Sequence, residues 1–188
     1  MIIALTGTPG TGKTTVCEFI KEHSMYRNKY RIIDLHKLIM DEKLYTGKDE
    51  IRDSYNADME RLKVRVAELI KQTPEGMDTI MEGHVSHYIP SDVIIVLRAA
   101  PVALRKRLGK RREYSFDKVK ENSDAEALDV ILVESAESSD RIFEINTTNM
   151  NLISVVKSVV DIIESLKKGK LPEEYLPGKI NWIEQVEL

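Results

Sequence analysis

A glycine-rich stretch near the start of the sequence constrains the fold more than any other feature. Residues 7–14 read G-T-P-G-T-G-K-T, which matches the phosphate-binding loop pattern G-x-x-x-x-G-K-[ST]. Residues 2–5 before the loop form a short apolar run, and residues 15–23 after it have a helical pattern. The motif requires this order of strand, loop and helix. A glycine-rich turn that binds nothing is the alternative, but it would need neither the lysine nor both flanking elements.

The residue types in this loop suit a nucleotide di- or triphosphate. Gly7, Gly10 and Gly12 let the backbone curl so that successive N–H groups point inward, and the following helix adds the positive end of its dipole. Lys13 supplies a point charge for the β- and γ-phosphates, and the hydroxyl of Thr14 is a ligand for Mg²⁺. The loop therefore predicts binding of a nucleotide polyphosphate together with magnesium.

Composition narrows the class of protein. The chain has 188 residues, of which 28 are basic and 31 acidic, so its net charge of −3 gives no reason to expect nucleic-acid binding. Cys17 is the single cysteine, which excludes an internal disulfide and fits a reducing compartment. The first strand begins almost at Met1, and no apolar run approaches the length of a membrane span. We expect one domain, no leader, no membrane contact and a cytoplasmic location.

Short apolar runs alternate with helical patterns along the chain. Besides residues 2–5, strands are predicted at residues 31–33, 78–81, 92–97 and 141–145. Helices are predicted at residues 15–23, 35–43 and 59–70, after Pro101, as one continuous helix from 115 to about 137, and at 151–166. This alternation predicts a three-layer α/β/α fold around a five-stranded parallel sheet. The tail from residue 167 either packs back through Tyr175 and Trp182 or is partly mobile.

Ligands of such folds bind at the carboxyl ends of the parallel strands. A phosphate-binding loop there needs a carboxylate nearby to orient magnesium or its water. Glu82 is the first candidate and Asp34 the second, with a solvated loop residue as the less favoured alternative for Glu82. His84 leaves the same strand end, where its ring could orient a water or an acceptor oxygen, or could simply hydrogen-bond to a nearby loop.

A basic run at residues 105–112 lies on the helix that Pro101 opens. Arg107 and Arg111 are four residues apart and therefore project from one face of that helix. Phosphoryl transfer needs arginines that close over the transferred group and stabilise its charge. We favour a lid that carries Arg107 and Arg111 over the two alternatives, a solvated helix end and an RNA-binding patch.

Four sequence features together resemble one family of kinases. They are G-x-P-G-x-G-K-T-T at the amino terminus, E-G-H after the third predicted strand, V-L-R at the end of the fourth, and R-L-x-x-R before a cysteine-free lid. In this combination the chain resembles the adenylate kinase isoenzyme 6 family, small atypical adenylate kinases also described as CINAP-like, and looks like an archaeal-type member. The similarity spans residues 1–166 and lies within the P-loop nucleoside-monophosphate kinases.

The resemblance implies a kinase domain at residues 1–166, with a monophosphate-binding region near 34–73, a lid near 109–120, and a separate tail at 167–188. It implies phosphoryl transfer from ATP to AMP with accompanying ATP hydrolysis, and a link to small ribosomal subunit maturation through a platform ribosomal protein. Carried over by position, ATP is bound by Gly10, Gly12, Lys13, Thr14, Thr15, Arg107 and Arg111, to which we add Thr147 at the last strand end. The catalytic residues are then Lys13, His84, Arg107 and Arg111.

The sequence departs from the family pattern at two places. Glu82 stands where the family usually has an aspartate, which would be one methylene shorter. In the monophosphate region the family places an arginine just after Asp34, whereas this chain has Lys37 there and Arg52 further along. Lysine cannot form the bidentate contact that arginine makes with phosphate. With Asp34, Lys37 and Arg52 as acceptor residues, two hypotheses stay open: an ATP:AMP kinase, and a nucleotide-switched ATPase that acts as an assembly factor.

Overall fold

A parallel sheet of five strands lies at the centre of the fold. The computed structural model describes residues 1–49, 54–112 and 114–185. In that part of the chain the strands are β1 (Ile2–Thr6), β2 (Tyr30–Asp34), β3 (Tyr45–Asp49), β4 (Ser54–Ala57), β5 (Asp78–Glu82), β6 (Val93–Arg98) and β7 (Ile142–Asn146). The helices are α1 (Lys13–Glu22), α2 (Leu35–Asp41), α3 (Met59–Lys71), α4 (Pro101–Leu108), α5 (Phe116–Ala127), α6 (Val130–Ser138) and α7 (Leu152–Lys167).

The central sheet has the strand order β2-β5-β1-β6-β7, and every neighbouring pair is parallel. Helices cover both of its faces, so the predicted three-layer α/β/α fold with a five-stranded parallel sheet is confirmed. Because the strands are parallel, their carboxyl ends share one edge of the sheet. The loop after β1 and the ends of β2, β5, β6 and β7 therefore meet there.

Alternation along the strands divides the core into two layers. Ile3 and Leu5 of β1 pack with α1 and α7, whereas Ala4 between them packs with α2 and α3 on the other face. This follows from the two-residue period of side chains along a strand. β6 is buried along its whole length, as its unbroken apolar run predicts for a strand covered on both faces. None of the helices in the described ranges is long and apolar enough to cross a bilayer.

Two elements differ from the sequence predictions. The polar stretch after α2, read as a helix break, contains an antiparallel hairpin of β3 and β4, in which the rings of Tyr45 and Tyr55 lie 4.5 Å apart. The helix predicted at 115–137 is in fact two helices, because Asp129 adopts a left-handed backbone conformation with φ of 56°. That turn brings the Asp129 carboxylate to the guanidinium of Arg98. The prediction of one continuous helix was wrong.

The tail packs back onto the domain as far as residue 185. Tyr175 and Leu176 pack against the core layer that contains Ile3, Leu5, α1 and α7. The backbone N–H groups of Lys179 and Ile180 donate to Glu144 Oε1 at 2.8 and 3.2 Å. Of the two alternatives left open by the sequence, the structure shows a packed tail. Its contact with Glu144, in the middle of β7, joins it to the sheet.

Asp78 connects the amino terminus to the end of α7. Its carboxylate accepts hydrogen bonds from the amino terminus at 2.8 Å and from Lys167 at 2.9 Å. Burial of the carboxyl group opposes its ionisation, but these two positive partners outweigh burial and lower the pKa of Asp78. Stability gained in this way is complete above the ordinary pKa of an aspartate and is lost as the pH falls through the lowered value.

We expect Asp78→Asn to lower the melting temperature by several degrees at pH 7, because it removes the charge that both partners require. The difference between wild type and D78N starts to shrink below about pH 4, where the carboxyl group of the unfolded chain takes up a proton, and it disappears once the pH is below the lowered pKa of the folded protein. Thermal unfolding at a series of pH values measures this. Asp161→Asn on the exposed face of α7 is the control and leaves the melting temperature unchanged. A D78N difference independent of pH would contradict the ionic explanation.

Candidate active site

Residues 7–14 join β1 to α1 in a tight loop whose shape depends on glycine. Gly7 has a φ of 133°, and a Cβ atom there would lie 2.2 Å from the carbonyl oxygen of Leu97. Gly12 has a left-handed backbone conformation directly before α1, and in the described part of the chain no side chain caps that helix. The first N–H groups of α1 therefore point into the loop, where they and the helix dipole suit an anion.

Lys13 is buried inside the loop with 7% of its surface exposed. Its ammonium group donates to the carbonyl oxygens of Gly7 at 2.6 Å and Thr8 at 3.1 Å. Burial lowers the pKa of Lys13 to about 8, while the negative charges of Glu82 and Glu126 act in the opposite direction. At neutral pH the group is still mostly charged, and it faces the same space as the N–H groups of the loop.

Thr14 and Glu82 lie together at the edge of the sheet. The Thr14 hydroxyl donates to Glu82 Oε1 at 3.0 Å, and burial raises the pKa of the Glu82 carboxyl group. A hydroxyl and a carboxylate are hard oxygen ligands of the kind that Mg²⁺ takes, so this pair fits the metal. Within the described ranges no group of three or more His, Cys, Asp or Glu side chains could hold a metal ion. Phosphate oxygens and waters would have to supply the remaining ligands.

Asp34 lies beside Glu82 but has another partner. The two residues are paired in the register of β2 and β5. Asp34 Oδ1 accepts a hydrogen bond at 2.9 Å from the backbone N–H of Lys37, so the side chain caps α2. The side chain of Lys37 is exposed on the first turn of that helix. Arg52, the other predicted acceptor residue, lies outside the described residues.

His84 follows β5 by two residues, at the same edge as Lys13 and Glu82. The His84 side chain is exposed to solvent, but nearby protein atoms remove part of its hydration, and this lowers the pKa of the imidazole. The positive charge of Lys13 lowers that pKa further. The ring is therefore neutral at pH 7. A neutral imidazole has one nitrogen that accepts and one that donates a hydrogen bond, which suits the predicted role of orienting a water or an acceptor oxygen.

Arg107 lies in α4, whereas Arg111 lies after its end, so the prediction that both arginines project from one face of that helix was wrong. Arg107 is half-buried and donates to the carbonyl oxygens of Gly10 at 3.1 Å, Thr147 at 2.9 Å and Thr148 at 3.1 Å. Arg111 is exposed three residues beyond the end of α4. Its positive charge helps to lower the pKa of Lys13. Arg107 thus connects the loop to the segment after β7, whereas Arg111 is available to a ligand.

A cavity of about 260 Å³ lies beside the loop. Polar loop residues, two arginines and several apolar residues line it. Its lining comprises Gly10, Thr11, Gly12, Thr15, Val16, Arg107, Arg111, Thr147, Met150, Leu152 and Val155. The structure thus brings the predicted Thr15, Thr147, Arg107 and Arg111 to one cavity next to Lys13. Lys37 is not among the residues that line it.

Sequence reasoning assigned no role to a buried cluster behind the loop. Thr8 Oγ1 donates to Glu126 Oε2 at 2.5 Å, and Arg98 Nε donates to Glu126 Oε1 at 2.7 Å. The only local signal was Arg98 itself, a charged residue that ends a fully apolar strand. Glu126 carried no signal, because an acidic residue on an amphipathic helix is usually solvated.

The AAA domain family model matches residues 3–129, well over half of the chain. The chain belongs to this AAA domain family. Full-length relatives of this chain include archaeal proteins named "Putative adenylate kinase". The relative from Methanosarcina acetivorans is 47% identical and the alignment covers 99% of this chain and 100% of the relative. The relative from Archaeoglobus fulgidus is 39% identical, with 100% and 94% covered.

Solved structures agree with the fold of this chain. Shikimate kinase from Bacteroides thetaiotaomicron matches with a TM-score of 0.55 at 19% identity, covering 87% of this chain and 98% of that one. Shikimate kinase from Acinetobacter baumannii in complex with shikimate matches with a TM-score of 0.57 at 14% identity, covering 88% and 94%. At such low identity the likeness extends to the fold alone. The narrower resemblance to adenylate kinase isoenzyme 6 stays a prediction.

Proposed function

We propose that this protein is an ATP:AMP phosphotransferase, an adenylate kinase, with accompanying ATPase activity. The observation that carries the proposal is the meeting of Lys13, the Thr14–Glu82 pair and His84 at one edge of the sheet. The printed names of the archaeal relatives support AMP as the acceptor. We place the reaction in the cytoplasm, in line with the composition.

The loop and the cavity beside it form the donor side of this proposal. The N–H groups of the loop and the Lys13 ammonium bind the phosphates, and the apolar wall of Met150, Leu152 and Val155 takes the base. Arg107 holds this wall against the loop through Gly10 and Thr147. A magnesium ion, held through Thr14 and Glu82, would neutralise developing phosphate charge. The lid of this proposal is the region near residues 109–120, with Arg111 at its base.

The chemical step exchanges one P–O bond for another. An oxygen of the AMP phosphate attacks the γ-phosphorus, and the bond from that phosphorus to the β-phosphate oxygen breaks, which leaves two ADP molecules. Catalysis of this step consists of positioning and charge stabilisation. Lys13 and Arg111 stabilise the charge on the transferred group, and the neutral ring of His84 orients the attacking oxygen. When water replaces AMP, the same step is ATP hydrolysis.

A purified-protein assay tests the proposal directly. With MgATP and AMP we expect ADP to form much faster than without AMP, and faster than with CMP or GMP, because only AMP fits the proposed acceptor. His84→Asn keeps a donor and an acceptor but changes their placement, and we expect it to lower the AMP-dependent rate about 10²-fold. His23→Asn, an exposed residue at the end of α1, is the control. ADP formation that is indifferent to every acceptor would overturn the kinase proposal.

A second candidate function rests on the acceptor side. Asp34 caps α2, and Lys37 is exposed there without the fork that an arginine would offer to a phosphate. These features favour slow hydrolysis over phosphoryl transfer. The protein would then be a nucleotide-switched assembly factor that binds a platform protein of the small ribosomal subunit. Pull-down of that ribosomal protein with and without ATP separates the candidates, and binding indifferent to nucleotide would remove the switch.

A further inference from the structure

A buried ionic cluster lies behind the phosphate-binding loop, and the proposed chemistry does not use it. Arg98, at the end of β6, and Glu126, in the last turn of α5, have only 1% and 3% of their surfaces exposed. Arg98 Nε and the backbone N–H of Ala99 both donate to Glu126 Oε1, at 2.7 and 3.2 Å. Because solvent barely reaches these side chains, neither of them can touch a substrate.

Arg98 is fixed by partners on two further elements. Its guanidinium donates to Glu144 of β7 at 3.1 Å, to the carboxylate of Asp129 and to the backbone carbonyl of Glu126 at 3.3 Å. Glu144 is itself fixed by the N–H groups of Lys179 and Ile180 in the tail. With β6, β7, the α5–α6 junction and the tail all contributing, the Glu126 carboxylate has little freedom to move. Charge-assisted hydrogen bonds of this kind are short and directional.

The remaining oxygen of Glu126 reaches the loop. Glu126 Oε2 accepts a hydrogen bond at 2.5 Å from the hydroxyl of Thr8, the second residue of the loop. The backbone carbonyl of Thr8 accepts from the backbone N–H of Thr11 at 3.3 Å, the Thr11 hydroxyl at 2.9 Å and the Lys13 ammonium at 3.1 Å. Thr8 therefore connects the interior of the loop, including its lysine, to the rigid cluster outside it.

We propose that Glu126, oriented by Arg98, is a positioning residue for the donor phosphates and acts through the hydroxyl of Thr8. A loop that binds an anion through several N–H groups loses affinity when those groups are not held in place. The conformational entropy lost when the ligand orders them then opposes binding. Glu126 supplies that order without contacting the ligand. The inference rests on the proposed function in one respect, that the ligand of the loop is ATP.

Thr8→Val tests this inference, since valine has nearly the shape of threonine but cannot donate to Glu126. We expect the Kd for MgATP, measured by calorimetry, to rise about fivefold to tenfold, the order expected when one hydrogen bond is lost. The KM for AMP is expected to stay unchanged, because the acceptor does not bind this loop. Thr8→Ser keeps the hydroxyl and should restore binding to near the wild-type value.

Thr79→Val is the matched control. Thr79 is equally buried, with 2% of its surface exposed, and its hydroxyl bonds to that of Thr73 at 2.9 Å. It lies near the start of β5, at the opposite edge of the sheet from the loop. If the Thr8 bond served stability alone, T8V and T79V would lower the melting temperature alike and both would bind MgATP as wild type does. That result would overturn the inference.

A double-mutant cycle tests the route through Glu126. Glu126→Leu removes the acceptor, so adding T8V to E126L should weaken MgATP binding no further. A full additional loss would overturn the role of Glu126, and T8V with T8S decides the question even if E126L does not fold. Wild-type protein that binds no MgATP would overturn the proposed function and the inference together. T8V that binds MgATP as tightly as the wild type would overturn the inference alone.

Discussion

Replacement of Lys13 by methionine is expected to lower kcat/KM for MgATP by about 10²- to 10³-fold, the loss typical when one preorganised charge is removed from a transition state. Methionine keeps the length and apolar character of the side chain, so the buried site in the loop stays filled. What disappears is the ammonium that bonds to the carbonyls of Gly7 and Thr8 and that, in the proposed function, binds the phosphates. Steady-state kinetics with saturating AMP measure the effect.

Lys21→Met is the control for this substitution. Lys21 lies on the last turn of the same helix, where its side chain is exposed. The same chemical change there removes one positive charge from α1 without touching the loop, so kcat/KM should match the wild type. If K13M retained most of the activity, the phosphates would have to bind elsewhere and the donor site would be misplaced.

The pH dependence gives a second signature of Lys13. Burial lowers the pKa of its ammonium to about 8, so the charge that binds phosphate is lost as the pH rises through that value. Because kcat/KM reports the free enzyme, we expect it to fall about tenfold per pH unit above pH 8. The residual activity of K13M should lack this decline, since methionine has no proton to lose.

The fold could be predicted because its signals are local. The apolar runs of the five central strands, and the loop after the first of them, are each contained in a few consecutive residues. The β3–β4 hairpin was missed because its strands are polar, and Tyr45 and Tyr55 gain their packing only when the strands pair. The break at Asp129 was missed because no glycine or proline marks it. The left-handed conformation there accompanies a contact with Arg98, and Arg98 is distant in sequence.

The residues of the candidate site that lie at strand ends could be predicted from the sequence. Thr14 and Glu82 were expected at one edge and their side chains do meet there. Arg107 shows the limit of spacing arguments, because its carbonyl partners in the loop and after β7 lie far along the chain. The same holds for Thr8 and Glu126, which no periodic pattern connects. Long-range polar contacts of this type depend on the finished fold rather than on local sequence.

Arg98→Met should be the most destabilising substitution outside the loop. Its guanidinium donates to Glu126, Glu144 and Asp129, and the first two have at most 4% of their surfaces exposed. Without it the buried carboxylates of Glu126 and Glu144 lose their positively charged partner, which costs about 3–5 kcal/mol for one broken buried pair. In a chain of this size that corresponds to a melting temperature lower by about 10 °C. Thermal and urea unfolding measure the loss.

Arg65→Met is the control, because Arg65 also bonds to two carboxylates, Glu42 and Glu68, but at the surface of α3. Exposed ion pairs contribute little, so R65M should shift the melting temperature far less. R98M and R65M with equal effects would contradict the assignment of the cost to burial. The double mutant R98M/E126L should be more stable than R98M, because an apolar pair replaces an unpaired buried charge. MgATP binding by T8V measures separately whether the cluster orients Thr8.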